Sequence, residues 1–219
     1  MIKVERSQPA PASLAEESKK KNGEYNKPDV TERLKRDFHN KCYICGIDRL
    51  QDVVVEHRLP HKNGTYPERK FDWNNLFWSC MHCNSVKNRD MYDVGIIDCC
   101  RRDPEECLIF DFKEDNISVS VTDECDVEAQ LTATLMYDVF NIRNTGIRTA
   151  RSQERLERLQ EQMNILITAL DKYKENPSNK LALRTLKVFL RRETAFSEFK
   201  RAYVRKRLNE FPSLREYLE

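Results

Sequence analysis

The sequence predicts an α+β fold in which a small module of two strands and one helix is followed by a β-hairpin and a helical region. Short runs of β-branched and aromatic residues lie before residue 122, whereas from about residue 126 apolar residues recur at intervals of three and four. Two C-x2-C pairs lie around the first strands. We therefore divide the chain into an N-terminal arm (1–28), a cysteine-bearing module (29–122) and a C-terminal helical region (123–219).

The composition is that of a soluble globular protein with a highly charged surface. Of the 219 residues, 39% are hydrophobic and 34% are charged, which is enough for a buried core. The N-terminus lacks the apolar stretch of a secretory signal, and no segment reaches the roughly 18 apolar residues of a transmembrane helix. We expect a cytoplasmic protein without a membrane partner, in which the cysteines are reduced.

The formal net charge of +2 is unevenly distributed along the chain. Residues 144–219 contain 17 Lys or Arg and 10 Asp or Glu, a net charge of +7, so the first 143 residues carry −5. A phosphate-bearing ligand is therefore expected to be attracted chiefly to the C-terminal part of the chain.

The first predicted elements are the arm and a short helix. The arm is rich in charged and small polar residues, and we expect it to be extended or partly ordered, packing only through Val4 and Leu14. Asp29 is expected to cap a helix over residues 30–40, with Glu32 at the third helical position of a capping box. This helix leads to the first cysteine pair.

Two short strands and a helix are predicted next. Val53–Val55 is β-branched and predicts the first strand, and Leu76–Trp78 predicts a second strand or a buried turn. Pro60 and the Asn63-Gly64 pair predict a loop between them. A helix is expected to open at Cys83, which completes an order of strand, loop, strand and helix.

The remainder of the chain is predicted to form a hairpin and then helices. Leu108–Phe112 and Ile117–Val121 alternate as a hairpin around the turn Lys113–Asn116, and Asn176–Ser178 separates two later helical segments. The first apolar stripe comprises Leu156, Leu159, Met163, Leu166, Leu170 and Tyr173, and the second comprises Leu183, Leu186, Leu190, Phe196, Phe199 and Tyr203. The first stripe fits either a coiled-coil interface or helix packing within the chain, and packing within the chain is favoured.

The two cysteine pairs predict a structural zinc site. Cys42 and Cys45 form the first pair and Cys80 and Cys83 the second, with 34 residues between the pairs. Each pair places two thiolates on a tight turn, and two pairs complete the tetrahedron that Zn2+ prefers. The remaining cysteines have no ligand-like spacing as a set: Cys99, Cys100, Cys107 and Cys125. The adjacent pair among them fits redox chemistry, but ordinary reduced thiols are favoured.

Polar residues near these pairs are suited to metal-dependent hydrolysis. Glu56 and His57 lie at the end of the first strand, where a carboxylate would hold a divalent cation and an imidazole would deprotonate water. Asn75 precedes the second strand, and Asn84 follows the second cysteine pair. The oxygen atoms of Glu56 and Asn84 suit Mg2+ or another hard divalent cation rather than zinc. Alternatively, His57 is a further zinc ligand or a core histidine.

At these positions the sequence resembles the zinc-knuckle branch of the HNH endonucleases. The residues that carry the resemblance are Cys42-x2-Cys45, Val55-Glu56-His57-x2-Pro60, Trp73-Asn74-Asn75-Leu76 and Cys80-x2-Cys83-Asn84-x2-Lys87. The resemblance implies a ββα-metal module with a zinc knuckle and an endonuclease activity. It also implies that His57 is the general base and that Asn75 orients it. Glu56 and Asn84 would then bind the catalytic metal.

The wider order of elements is similar to that of the Septu-type PtuB nucleases of bacterial anti-phage systems, including those attached to retrons. This resemblance implies a bacterial defence effector that cuts DNA or a structured RNA such as tRNA. It also implies a PtuA-type ATPase partner and, in retron-associated systems, a reverse transcriptase with its msDNA. The alternative is a non-catalytic zinc-knuckle scaffold that binds nucleic acid or protein, in which Glu56 and His57 serve structure.

Other polar residues are weaker candidates. His61, Lys62 and Lys87 are candidate phosphate contacts, although a solvated loop or surface explains them as well, and His82 is expected to point outward. Basic and aromatic residues interleave near the C-terminus, at Arg184, Lys187, Arg191, Arg192, Lys200, Arg201, Arg205, Lys206 and Arg207 with Phe189, Phe196, Phe199 and Tyr203. We favour a solvated basic face over a nucleic-acid or partner surface, with the aromatic residues in the core.

Overall fold

The computed structural model describes residues 1–49, 51–113, 116–141 and 146–219. The helices are α1 (Ala12–Glu17), α2 (Pro28–Asp37), α3 (Met81–Lys87), α4 (Pro104–Cys107), α5 (Val127–Asn141), α6 (Gly146–Glu175), α7 (Lys180–Phe189) and α8 (Ser197–Arg205). The strands are β1 (Val53–His57), β2 (Leu76–Cys80), β3 (Leu108–Lys113) and β4 (Asn116–Val121). They form two two-stranded antiparallel sheets, so the fold is a mixed α+β fold. In the described part of the chain, every helix is too short or too polar to cross a membrane.

Strands β1 and β2 form a short antiparallel ribbon, which we call the β1–β2 ribbon. Its register pairs Val53 with Cys80 at one end and His57 with Leu76 at the other. Because a strand rises about 3.3 Å per residue, the two ends of the ribbon lie roughly 13 Å apart. The second cysteine pair and His57 are therefore held at opposite ends of the same pair of strands.

Two helix starts differ from the prediction. Helix α3 begins at Met81 rather than Cys83, because Cys80 is its N-cap and the Cys80 Sγ accepts from the backbone N–H of Cys83 at 3.4 Å. Helix α2 begins with Pro28 and has no side-chain cap. The Asp29 carboxylate, expected to cap α2, lies inside its first turn, where it accepts from the Val30 N–H at 3.0 Å and also from the backbone and side chain of a serine in α1.

The N-terminal arm is packed more closely than its composition predicts. Met1 and Ile2 are buried in addition to Val4 and Leu14, and part of the arm forms α1. The Arg6 guanidinium lies 4.7 Å from the centre of an aromatic ring of β2. The arm is therefore attached through apolar side chains and a cation–π contact, although few of its residues are apolar.

The hairpin and the helical region follow the predicted pattern. Leu108 pairs with Val121 in the β3–β4 hairpin, and of the predicted turn, Glu114 and Asp115 lie outside the described residues. The stripe of α6 packs within the chain against α5 and α7, and its buried members are Leu159, Met163, Leu166 and Leu170. The stripe is thus an internal packing face rather than an exposed seam.

Two residues of the expected basic face are buried instead of solvated. Lys200 and Arg201 are 0% and 1% exposed, because α8 is covered by β3 and its neighbours. The Arg201 Nε donates to the Glu105 carboxylate at 2.9 Å. The Lys200 Nζ donates to the Thr194 hydroxyl at 3.0 Å and lies over the Phe189 ring. Two of the interleaved aromatic residues, on the other hand, lie in the core as expected.

Burial of Lys200 is expected to make stability depend on pH. Loss of solvent, together with the charge of Lys41, lowers the pKa of Lys200 from 10.5 to about 7. Between these values the unfolded chain binds more protons than the folded chain, so this group makes the free energy of unfolding rise with pH. We expect Lys200→Met to be more stable than the wild type below pH 7, by the order of a few kcal/mol, and the difference to shrink toward pH 10.

Urea unfolding at pH 6, 8 and 9.5 measures this difference. Lys172→Met, at an exposed position of α6, is the matched control and should differ little from the wild type at any pH. A difference between Lys200→Met and the wild type that stays constant over the three pH values would contradict the expectation.

Candidate metal centre and active site

Four cysteine side chains converge at one end of the β1–β2 ribbon and form what we call the four-cysteine group. The sulfur atoms of Cys42, Cys45, Cys80 and Cys83 lie within 4.8 Å of one another, and all four residues are buried. Four thiolates bound to Zn2+ at about 2.3 Å would be roughly 3.8 Å apart. The group therefore has the donors and the approximate size to hold a metal ion such as zinc.

A tight turn holds the first cysteine pair. The backbone N–H of Cys42 donates to the Ile47 carbonyl at 3.0 Å, and that of Gly46 donates to the Cys42 carbonyl at 2.9 Å. Gly46 has a φ of +71°, and a Cβ atom there would lie 2.7 Å from a carboxylate oxygen of Glu198. The turn that brings Cys42 and Cys45 together therefore requires glycine directly after the second thiol.

Burial and hydrogen bonds within the group shift the pKa values of three of the four thiols in different directions. Burial raises the pKa of Cys45 and that of Cys83 well above the ordinary value for a thiol. Hydrogen bonds from Cys42 and then from the other two thiols hold the pKa of Cys80 well below it. A divalent cation deprotonates all of its thiol ligands. It would therefore replace the hydrogen bonds among the thiols by four equivalent metal–sulfur bonds.

The remaining cysteines lie apart from the four-cysteine group. Cys99 and Cys107 are buried, Cys100 is half-buried and Cys125 is exposed. All of them are free thiols. That they are ordinary reduced cysteines stays a prediction.

An open cleft of roughly 680 Å³ lies at the other end of the β1–β2 ribbon. It is lined by the end of β1, the loop after it, α3 and the turn after α3. The lining residues of β1 and its loop are Glu56, His57, Pro60, His61, Lys62 and Asn63, and those of α3 and the following turn are Asn84, Lys87, Asn88, Arg89, Asp90 and Asp93. The cleft thus contains every predicted catalytic, metal-binding and phosphate-contact residue outside the four-cysteine group except Asn75. Asn75 is buried next to the loop that borders it.

Glu56 is a buried carboxylate whose charge is balanced by Lys87. The two side chains are 3% and 7% exposed, and the Lys87 Nζ lies 2.8 Å from the Glu56 Oε1. This contact has the distance of an ion pair without the angles of a hydrogen bond, and no described donor meets the angles of a hydrogen bond to either Glu56 oxygen. The buried Tyr43 hydroxyl is nevertheless a close neighbour, because burial and the Glu56 carboxylate raise the pKa of Tyr43. A buried carboxylate whose two oxygens accept no regular hydrogen bond is suited to bind Mg2+ or another hard cation. Lys87 would compete with such a cation for the same oxygen.

His57 is held as a neutral imidazole. Its Nε2 lies 3.0 Å from the Lys70 carbonyl oxygen, and because a carbonyl can only accept, Nε2 carries the proton and Nδ1 the lone pair. Loss of solvent lowers the pKa of His57 to about 4, so the ring is uncharged at pH 7. A neutral imidazole with a lone pair on Nδ1 can accept a proton from water.

Asn75 fixes the loop that follows His57. Its Oδ1 accepts from the Leu59 backbone N–H at 2.8 Å, and its Nδ2 donates to the carbonyls of Leu59 at 2.8 Å and Arg69 at 3.0 Å. Its own carbonyl accepts from the Arg58 N–H at 2.9 Å. The described contacts of Asn75 are thus to the loop and not to the imidazole. Any effect on His57 would act through the backbone.

The other predicted cleft residues differ in their surroundings. Asn84 is half-buried on α3, one turn before Lys87. The His61 ring centre lies 4.8 Å from that of His57. Lys62 forms an ion pair with Asp93, so its charge is already offset and it is a weaker candidate for a phosphate contact than the sequence indicated.

His82 is buried, contrary to the expectation that it points outward. It is 1% exposed, and its Nε2 donates to the Val139 carbonyl of α5 at 2.9 Å. The Ser152 hydroxyl of α6 donates to the same carbonyl at 2.9 Å. The expectation failed because it considered the cysteine turn alone, whereas α5 and α6 cover this side of the turn.

Two residues at these sites were not predicted. Tyr25 of the N-terminal arm packs its ring edge-on against His57, with ring centres 4.4 Å apart. Arg155 of α6 donates a hydrogen bond to the Cys80 sulfur at 3.1 Å. An isolated aromatic residue in a polar arm was a usable signal for Tyr25. No local pattern points to Arg155, which lies 75 positions from Cys80.

The sequence of this chain matches no protein-family model and no curated protein. A function is therefore inferred from the residues and their geometry. The four-cysteine group and the cleft, at opposite ends of the β1–β2 ribbon, are the two features from which it is inferred.

Proposed function

We propose that this protein is a metal-dependent endonuclease that hydrolyses phosphodiester bonds in nucleic acid. The proposal depends chiefly on the cleft in which neutral His57, with its Nδ1 lone pair, lines the same space as the buried Glu56 carboxylate and Asn84. A base that deprotonates water and a cation that binds the phosphate both accelerate phosphodiester hydrolysis, and these residues offer the base and the oxygen ligands. The resemblance to HNH endonucleases at the same positions supports this assignment.

Each residue has a separate task in the proposed mechanism. His57 accepts a proton from the attacking water at Nδ1, while the Nε2 bond to a backbone carbonyl keeps the ring in position and stabilises its charged form. Glu56 and Asn84 would hold the divalent cation through oxygen atoms, and Asn75 fixes the loop after His57. When bound, the cation stabilises the charge that develops on the phosphate and on the leaving oxygen.

A structural role for the same residues is the second candidate. Glu56 and Lys87 form an ion pair that is more than nine-tenths buried, as in charge pairs that serve only the fold. In that case the protein is a non-catalytic zinc-knuckle scaffold that binds nucleic acid or protein. The two candidates differ in whether nucleic acid is cut when a divalent cation is present.

The proposed setting is a bacterial, cytoplasmic anti-phage complex with a PtuA-type ATPase. In the retron-associated form, the complex also contains a reverse transcriptase with its msDNA. The support for this setting is the resemblance to the Septu-type PtuB nucleases. DNA and a structured RNA such as tRNA are both candidate substrates, because the groups that line the cleft suit a phosphodiester rather than a particular base.

Cleavage assays with and without a divalent cation test the proposal. The purified protein, alone and with a candidate ATPase partner, is incubated with DNA and with RNA in Mg2+, Mn2+ or EDTA. We expect cutting that requires Mg2+ or Mn2+ and stops in EDTA while metal analysis still finds zinc. Intact nucleic acid under every condition would favour the scaffold, and cutting that EDTA leaves unchanged would rule out the metal-dependent mechanism.

A further inference from the structure

The four-cysteine group is contacted by a buried arginine of the helical region. Arg155 of α6 is 6% exposed, and its Nη2 donates to the Cys80 sulfur at 3.1 Å. Its Nη1 donates to the Arg151 carbonyl, one turn earlier on α6, at 2.6 Å. The guanidinium is therefore fixed against the sulfur. Among the described residues, no other guanidinium bonds a sulfur of this group.

The charge of an occupied site explains why a guanidinium is buried here. Four thiolates around Zn2+ have a net charge of −2, and an uncompensated charge in the protein interior is costly. A guanidinium stays protonated in proteins, and that of Arg155 lies against the Cys80 sulfur. Arg155 is therefore a permanent cation next to a group of net negative charge.

The neighbouring arginines of α6 have other partners. Arg151 pairs with Asp52 at 3.2 Å, and Arg158 pairs with Asp48 at 2.9 Å. The Arg155 Nε has no hydrogen-bond partner among the described residues. Hydrogen bonds to the protein alone therefore do not account for burying this side chain, whereas an anionic metal site does.

We propose that Arg155 is a positioning residue of the metal site, which offsets part of the charge of the metal-bound thiolates and holds Cys80 through an N–H···S bond. A charge-assisted bond to a ligand makes that ligand harder to protonate and to displace. Mutation of a residue that bonds a metal ligand typically lowers metal affinity by about 10- to 100-fold. Because Arg155 belongs to α6, metal binding is coupled to the packing of the helical region.

Zinc affinity of an Arg155 variant tests this proposal. Arg155→Met keeps an apolar stem but removes the charge and the donors. Arg158→Met, on the same helix and paired with Asp48 rather than with sulfur, is the matched control. In competition with a chromophoric chelator, we expect Arg155→Met to bind zinc about 10- to 100-fold more weakly, with its helix content unchanged. The control should bind zinc as the wild type does.

Cobalt substitution gives a second readout that a change in packing alone would not move. Loss of the N–H···S bond makes the thiolate a better electron donor, so the sulfur-to-cobalt charge-transfer band should move to longer wavelength in Arg155→Met. If that variant does not fold, Arg155→Gln, which is neutral and too short to reach the sulfur, replaces it in both measurements. A wild-type zinc affinity together with a wild-type cobalt spectrum in the folded variant would overturn the proposal.

Discussion

Replacement of His57 by alanine is expected to abolish detectable cleavage while leaving the fold and the zinc site intact. Removal of a general base usually lowers a rate by about 10²- to 10⁴-fold. The His57 ring contacts a backbone carbonyl and Tyr25, and it lies at the other end of the β1–β2 ribbon from Cys80. Cleavage of labelled DNA and RNA measures the rate, and metal analysis and thermal melting check that the zinc and the fold remain.

Two further variants separate the base from its surroundings. His39→Ala is the matched control, because His39 is an exposed histidine outside the residues that line the cleft, so cleavage should be unchanged. Asn75→Ala should lower both cleavage and thermal stability, because it releases the backbone of Leu59 and Arg69. Cleavage at the wild-type rate by His57→Ala would disprove its assignment as the base.

Loss of one thiol of the four-cysteine group is expected to unfold residues 40–90. Structural zinc sites contribute apparent binding free energies of about 10–16 kcal/mol, comparable with the whole stability of a typical domain. Cys42→Ser removes a ligand next to the Gly46 turn, and Cys80→Ser removes both a ligand and the sulfur that accepts the N-cap bond of α3. Circular dichroism melting and zinc content are the measurements.

The exposed Cys125 offers a matched control for the same substitution. Cys125→Ser should keep the zinc content and the melting temperature of the wild type, because its side chain lies outside the four-cysteine group. The explanation by a structural metal fails if Cys42→Ser melts as the wild type does.

The features that the sequence predicts well are those that depend on neighbouring residues. A pair of cysteines three positions apart is a local sequence signature, and so is a run of β-branched residues. The four-cysteine group and the centre of β1 were therefore predictable. The ends of the elements were not, because β2 continues to Cys80 through its pairing with Val53. Likewise, the start of α3 depends on a cap formed by a cysteine, which is not among the usual capping residues.

The polar residues that the sequence misplaced are those that distant segments cover. His82 bonds a carbonyl 57 positions away, and Arg155 bonds a sulfur 75 positions away. Lys200 looked like part of a solvated face because its cover comes from other elements. The structure shows that Glu56, His57 and most of the other candidates line one cleft. Their catalytic roles are predictions that the His57 variants test.

The β1–β2 ribbon also limits how this protein can diverge in evolution. Successive side chains of a strand point to opposite faces, so an insertion or deletion of one residue within β1 would exchange the directions of Glu56 and His57. The same change would shift Val53 from its position opposite Cys80 and disturb a zinc ligand. The segment 60–68 lies outside both sheets, so its length does not set a strand register. Relatives of this chain are therefore expected to keep the length of β1 constant and to vary in the length of that loop.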